Sequence, residues 1–188
     1  MCGIAGFISK QCSEAILEKM GDAIAHRGPD DTGCFYRNHA GLISKRLSII
    51  DLANGRQPAY NEQENVAVIL NGEIFNYKQL RDKLGKLGHR FSNLSDTAVL
   101  PHMYEEYGTE MFKQLSGQFA IAIYDISRSK LVLARDRMGI IPLHFYCRYG
   151  DFLFGSEIKA LLASGRVSRE LSYETLSDVF TFWSPQHD

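Results

Sequence analysis

A cysteine directly follows Met1 in this 188-residue chain and precedes a glycine, as MCG. The small side chain at position 2 favours removal of the initiator methionine, which would leave Cys2 with a thiol and a free α-amine. An α-amine titrates near neutral pH, so a single residue would carry both a nucleophile and the base that takes its proton, usually through a water. No separate histidine is then required. Position alone is matched just as well by a cysteine serving as a small hydrophobe. Asn71-Gly72 follows the apolar run Val66 to Leu70, and that dipeptide is more often a tight hairpin turn than a site. Arg46 heads RLSII, a polar residue before an apolar run, as suits a side chain at a cleft edge. Asp96 falls at the start of a helical pattern, where a carboxylate favours the helix N-terminus. His39, His89, His102, His144 and His187 have no partner at a telling spacing and are assigned structural or exposed positions. Cys2, Cys12, Cys34 and Cys147 form no Cys-x-x-Cys pair and none sits beside a histidine in a zinc-like pattern, so they are read as thiols and no metal site is expected.

The elements that must position these groups follow from the hydrophobic pattern. Eight short strands are expected, over Gly3 to Ser9, Gly33 to Arg37, Ala40 to Ser44, Val66 to Leu70, Gln118 to Asp125, Lys130 to Ala134, Leu143 to Cys147 and Phe152 to Gly155. Links such as the one from Tyr124 to Leu131 are too short for a crossover helix, which makes the neighbours antiparallel. Three amphipathic helices are expected. The first starts at an N-cap Ser13 and sets Ile16, Leu17, Met20 and Ile24 on one face. The second starts at Asn76 with Leu80, Leu84 and Leu87, and the third runs from about Ser95 to Gly108. VAVIL at 66–70 and FAIAIY at 119–124 are apolar at every position, so both of their faces must be covered. Helices with one apolar stripe belong outside. Two antiparallel sheets packed face to face with helices on the outer faces satisfy both conditions, giving an α+β fold of four α-β-β-α layers. RDRMGIIPL at 135–143 reads as a structural turn with ion pairs.

Composition narrows the partners. With 45% hydrophobic residues the chain can bury a sizeable core. The 21 Lys+Arg against 22 Asp+Glu supply no field that would recruit nucleic acid or an anionic membrane. The longest apolar run, Phe119 to Tyr124, is far shorter than the roughly 20 residues of a membrane span. The N-terminus has no pattern for secretion, and a cytoplasmic location is expected.

Seven blocks then fall in order: MCGIAGF at 1–7, HRGPDD at 26–31, RLSIID at 46–51, NGEIFNY at 71–77, SDT at 95–97, RDRMGIIPLHF at 135–145 and FGSEIKALL at 154–162. In order and spacing they resemble the class II glutamine amidotransferase domain, specifically the N-terminal glutaminase half of glutamine-dependent asparagine synthetases, over nearly the whole chain. The resemblance implies an N-terminal nucleophile hydrolase fold and hydrolysis of L-glutamine to L-glutamate and ammonia, with no metal or organic cofactor. It implies that Cys2 is the nucleophile, and that the Asn71 side-chain amide and the Gly72 N–H form the oxyanion hole. It further implies that Arg46 holds the glutamine α-carboxylate, that the backbone of Leu47, Ser48, Ile49 and Ile50 lines the pocket, and that Glu73 and Asp96 take the α-amino group. The HRGPDD loop, with His26 and Arg27, is placed near the mouth without a catalytic role. Three residues depart from the family pattern. Ala98 stands where Glu is usual, Pro101 where a helix former is common, and His144 where an aromatic residue is usual; the first two bear on the third helix and on where it sets Asp96.

Such synthetases continue into an ATP-dependent domain with a Ser-Gly-Gly-x-Asp-Ser loop, and this chain has neither that loop nor a Walker A sequence. Residues 1–170 are therefore read as the amidotransferase domain, and 171–188 as the start of a connection to a synthetase domain or subunit that receives the ammonia. Phe180, Phe182 and Trp183 in that tail suggest a partner surface. The alternatives are a non-catalytic glutamine-sensing regulatory subunit of the same fold and an amidase for another substrate. Oligomerisation is left open.

Overall fold

The two all-apolar runs lie side by side at the centre of one sheet. The structure, a computed structural model, describes residues 2–52 and 54–184. Along it run β1 (Gly3–Ile8), α1 (Glu14–Asp22), β2 (Asp31–Arg37), β3 (Ala40–Arg46), β4 (Ala59–Tyr60), β5 (Val66–Ile74), α2 (Tyr77–Lys86) and α3 (Leu100–Tyr107). Then come β6 (Gly117–Asp125), β7 (Lys130–Arg135), β8 (His144–Arg148), β9 (Asp151–Gly155), α4 (Ile158–Ala163) and α5 (Tyr173–Phe182). Strands β4-β5-β6-β7 form one sheet and β2-β3-β1-β9-β8 the other, with every pairing antiparallel. Expectations about Met1, His187 and the last four residues of the tail lie outside the described residues.

The side-chain alternation of period two explains the layers. In β5, Val66, Val68 and Leu70 point one way and pack with Leu80, Leu84, Val99, Leu100 and Met103 beneath α2 and α3. The residues between them, Ala67 and Ile69, point the other way, toward Ile4, Leu42, Tyr124 and Phe154 between the sheets. β6 repeats the pattern, with Ile121 and Ile123 under the helices and Ala120, Ala122 and Tyr124 between the sheets. Alanines on the inner face let the sheets approach closely. On the far side Ala5, Phe7, Ile43 and Leu153 pack against Leu17, Met20, Ala160 and Leu161 of α1 and α4. Three cores separate four layers, the α-β-β-α sandwich expected.

Several details differ from the sequence reading. Among the described residues there are nine strands, the added one being the two-residue β4, and five α-helices, the added ones being α4 and α5. Asn71-Gly72 is no turn: β5 continues through it to Ile74, paired with β6 as Asn71↔Ala120 and Gly72↔Phe119. Ser13 and Asn76 stand at N-cap positions without a side-chain capping bond. Asn76 instead bridges to the Gln114 carbonyl and the Ser116 N–H. Leu87, expected on the buried stripe, is exposed because α2 ends at Lys86. Pro101 sits in the first turn of α3, where its missing N–H costs nothing, so the departure leaves the helix intact. The segment after β7 is a turn, but its charges bond to backbone and not to each other: Asp136 accepts from Met138, Ile140 and Ile141, and Arg135 donates to Gly139 and Ile141. His89 and His102 do have partners. Their rings lie 4.9 Å apart, and both face Glu62. Phe180, Phe182 and Trp183 of the tail are exposed.

Ile69, fully buried between the sheets, provides a test of this packing. Ile69→Ala should cost about 2–5 kcal/mol in urea unfolding, whereas Leu87→Ala at the exposed end of α2 should stay within about 0.5 kcal/mol of wild type.

Candidate active site

Cys2 stands immediately before β1, the middle strand of its sheet, and β1 pairs with β3 so that Gly3 lies opposite Lys45. That register brings the chain start against the residue that follows β3. The Leu47 N–H donates to Cys2 Sγ at 3.4 Å, and Sγ lies 3.6 Å from the Leu47 carbonyl oxygen. From the other side Arg27 Nε donates to the Cys2 carbonyl at 2.9 Å. Arg27 is itself held by Glu157 Oε1 at 3.0 Å, which His26 Nε2 also meets at 2.9 Å. Burial opposes the Glu157 charge, but hydrogen bonds from Lys159, Arg27 and His26 outweigh it and bring its pKa down to about 2. The HRGPDD loop thus clamps the backbone of Cys2. A Cβ on Gly28 would stand 2.2 Å from the Lys45 carbonyl oxygen, so only glycine lets the loop lie flat on β3.

Arg46, the last residue of β3, turns into the loop that follows it. Its Nη2 donates to the Ile50 and Asp51 carbonyls at 2.9 and 2.8 Å. The guanidinium is buried and fixed by that loop. The loop is tied down in turn by Asp51, whose carboxylate accepts from the Leu94 N–H; that bond holds its carboxyl below the usual range.

The other wall comes from β5. Gly72 has φ +132°, and a Cβ there would stand 2.1 Å from the Gln118 carbonyl oxygen. Glu73 follows it, and the Ile74 N–H donates to Asp96 Oδ2 at 2.9 Å while the Thr97 N–H donates to Asp96 Oδ1 at 2.9 Å. Asp96 is both the cap of the 3-10 turn Thr97–Val99 and a wall of the pocket. Its carboxyl is pushed above the usual range by burial, with the charge of Glu73 acting the same way against the two backbone donors.

These elements enclose a cavity of about 100 Å³ lined by Cys2, Arg46, Leu47, Ile49, Ile50, Gly72, Glu73 and Asp96, together with residues of neighbouring segments. At roughly 10–15 Å³ per water-sized group, that is room for about one free amino acid. Two of the expected residues stand outside this lining. Ser48 spends its N–H on Asp30 Oδ2 at 2.8 Å. Asn71 is fully buried behind the wall, where its amide meets Ser156 Oγ at 3.3 Å and its other polar atom has no hydrogen-bond partner. Gln57, missed by the sequence reading, lines the cavity and completes it: it accepts from the Leu70 N–H at 2.8 Å, donates back to the Leu70 carbonyl at 3.2 Å and reaches Thr97 Oγ1 at 3.4 Å. A lone glutamine between Arg56 and Pro58 carries no signal of that role. Gly55, Ser95, Thr97, Gln118 and Ile141 also join the lining.

Comparison with known proteins identifies the family of the chain. The family model described as "Glutamine amidotransferase domain" matches residues 1–188. The chain belongs to that family. It is 42% identical over 187 residues to "Asparagine synthetase [glutamine-hydrolyzing] 2" of Bacillus subtilis, covering 96% of this chain and 25% of that protein. It is 37% identical over 175 residues to "Asparagine synthetase B [glutamine-hydrolyzing]" of Escherichia coli, covering 90% of this chain and 31% of that one. The chain thus spans about a quarter to a third of the length of these relatives. The solved glutamine phosphoribosylpyrophosphate amidotransferase of B. subtilis superposes with a TM-score of 0.74 at 21% identity, over 87% of this chain and 44% of that one, a likeness of fold. Among the described residues of this amidotransferase domain no helix is long and apolar enough to cross a membrane.

The clamp on Cys2 is testable through its ionisation. Because the Glu157 pKa is depressed from 4.5 to about 2, its contribution to stability is complete above about pH 5 and is lost as the pH falls through that interval. The stability gap between wild type and Glu157→Gln should be constant from pH 5 to 6 and shrink steadily from pH 4.5 toward 2 in denaturant titrations.

Proposed function

We propose that this domain hydrolyses L-glutamine to L-glutamate and ammonia through a thioester on Cys2, and that the ammonia passes to an ATP-dependent, asparagine-synthetase-like partner. The observation that carries the reading is the charge arrangement around the cavity. A thiol lies in the wall, with a guanidinium from β3 and two carboxylates, Glu73 and Asp96, from the β5 side. One anion holder and two cation holders form the complement of a zwitterionic amino acid. A buried Asp96 whose charge is disfavoured by burial gains most from an ammonium placed beside it.

In the proposed sequence Met1 is absent, and the Cys2 α-amine takes the thiol proton, usually through a water. Sulfur attacks the side-chain amide carbon. The tetrahedral oxyanion is met by the Gly72 N–H and by the Asn71 Nδ2 amide, one of whose two protons goes to Ser156 Oγ. Each such donor is worth about 2.7–4 kcal/mol of barrier. The amine returns the proton to the departing nitrogen, the C–N bond breaks and ammonia leaves. Water then cleaves the γ-glutamyl thioester and regenerates the thiol. The chemistry uses no metal or organic cofactor.

The exposed aromatic residues at the end of α5, Phe180 and Phe182 with Trp183 just beyond it, are assigned to the synthetase partner, and residues 171–188 to the connection. We assign the reaction to the cytoplasm, where glutamine and ATP are supplied together.

Purified protein should release glutamate from L-glutamine, with an intact mass lacking Met1, and Cys2→Ala should release none. Asp96→Asn should raise KM for glutamine at least tenfold. Glutamine binding by Met1-free protein with no turnover, in the presence as well as the absence of a synthetase partner, would refute hydrolysis and favour the sensor.

A further inference from the structure

A second cluster lies on the helical side of the β4-β5-β6-β7 sheet, among residues the amidotransferase reading does not use. Glu62 is in the β4–β5 loop, His89 follows α2, and His102 and Glu105 stand three apart on α3, a spacing that sets side chains on one face. Each offers one ligand atom, and those four atoms all lie within 4.8 Å of one another. In a tetrahedral zinc site the ligand atoms stand about 3.4 Å apart, some 1.6 times the Zn–N or Zn–O distance. Both glutamates are exposed and have the freedom to close the difference, whereas the histidines are set by the fold.

The side-chain arrangement fits a cation. His102 is buried, and its Nδ1 lies 3.1 Å from Glu62 Oε2 but out of line for a hydrogen bond, so this buried nitrogen has no hydrogen-bond partner. His89 Nε2 meets Glu106 Oε1 at 3.2 Å, and its Nδ1 faces Glu62 Oε1 at 3.3 Å. With the Nε2 proton given to Glu106, Nδ1 carries the lone pair that a metal ion would take, and Glu62 stands beside it as a second donor. A carboxylate behind the far nitrogen of an imidazole is also the usual outer support of a metal-ligating histidine. Asn61 Nδ2, 3.0 Å from Glu105 Oε2, steadies the fourth ligand in the same way.

We propose that Glu62, His89, His102 and Glu105 bind one first-row divalent cation, with Zn²⁺ the best match to two imidazoles and two carboxylates. Four protein ligands close the coordination sphere, so the site is structural. The ion pins the β4–β5 loop and the exit of α2 to α3, whose leading turn carries Asp96. The assignment is independent of the hydrolysis proposed above.

The experiment is calorimetric titration of chelator-treated protein with Zn²⁺, together with the absorption spectrum of the Co²⁺ form. One equivalent should bind, the Co²⁺ form should show visible bands of a four-coordinate site without thiolate charge transfer, and the melting temperature should rise with added Zn²⁺. His89→Gln and Glu105→Gln, at positions less buried than His102 and checked for folding by circular dichroism, should each weaken binding at least tenfold. Glu106→Gln should weaken it about tenfold through His89. Absence of stoichiometric binding, a thiolate signature, or unchanged affinity in both folded ligand variants would overturn the assignment and leave the cluster a network of ion pairs.

Discussion

The cavity depends on one close approach. At Gly72 the backbone of β5 passes so near β6 that a side chain there would collide with the Gln118 carbonyl. Because that residue is a glycine, the strand pairing runs on without a bulge to Ile74↔Gly117, where a second glycine meets the Glu73 carbonyl just as closely. The pairing then fixes everything downstream. Glu73 faces the cavity, the next N–H is handed to Asp96, and Asp96 caps the turn that leads into α3. A shift of one residue along this strand would turn Glu73 to the opposite face and remove the donor from Asp96.

The two charged groups Arg46 and Asp96 of the cavity are held by backbone rather than by an opposite side-chain charge. Arg46 is held by carbonyls of its own loop, Asp96 by two N–H groups, and Cys2 by the Leu47 N–H on its sulfur and Arg27 on its carbonyl. Groups held this way do not need to reorganise when a charged ligand arrives, and they remain without a neutralising ion-pair partner of their own. That is the condition under which fixed dipoles and charges act most strongly on a bound ligand. Burial disfavours the Asp96 anion, so the folded domain gives up stability there that a bound cation can return.

The layer order was legible in the sequence because burial on both faces leaves an unmistakable trace. VAVIL and FAIAIY have no polar residue to turn outward, and the alternation of large residues with alanine even distinguishes the helical face from the inter-sheet face. The bounds of β5 were not legible, since Asn-Gly has the local preferences of a turn and only pairing with β6 overrides them. α4 and α5 escaped for the opposite reason: one is six residues long, and the other buries no side chain that would mark a stripe.

For the site the division falls between near and far neighbours. Cys2, Arg46, Gly72, Glu73 and Asp96 lie in short blocks whose local spelling survives because each block supplies backbone geometry as well as a side chain. Gln57 and the pair His89 and His102 have no such spelling. Gln57 acts by completing the hydrogen bonding of Leu70, a residue whose ladder partner β4 stops short, and that need is visible only once the sheet is assembled. His89 and His102 meet through the packing of α2's exit on α3, with Glu62 arriving from a loop 27 residues before the first of them. Spacing rules for metal or catalytic ligands presume that the ligands share one turn or one helix. When three separate segments converge on the same nitrogen and oxygen atoms, the signal resides in the fold alone, and an unspent buried imidazole is what reveals it.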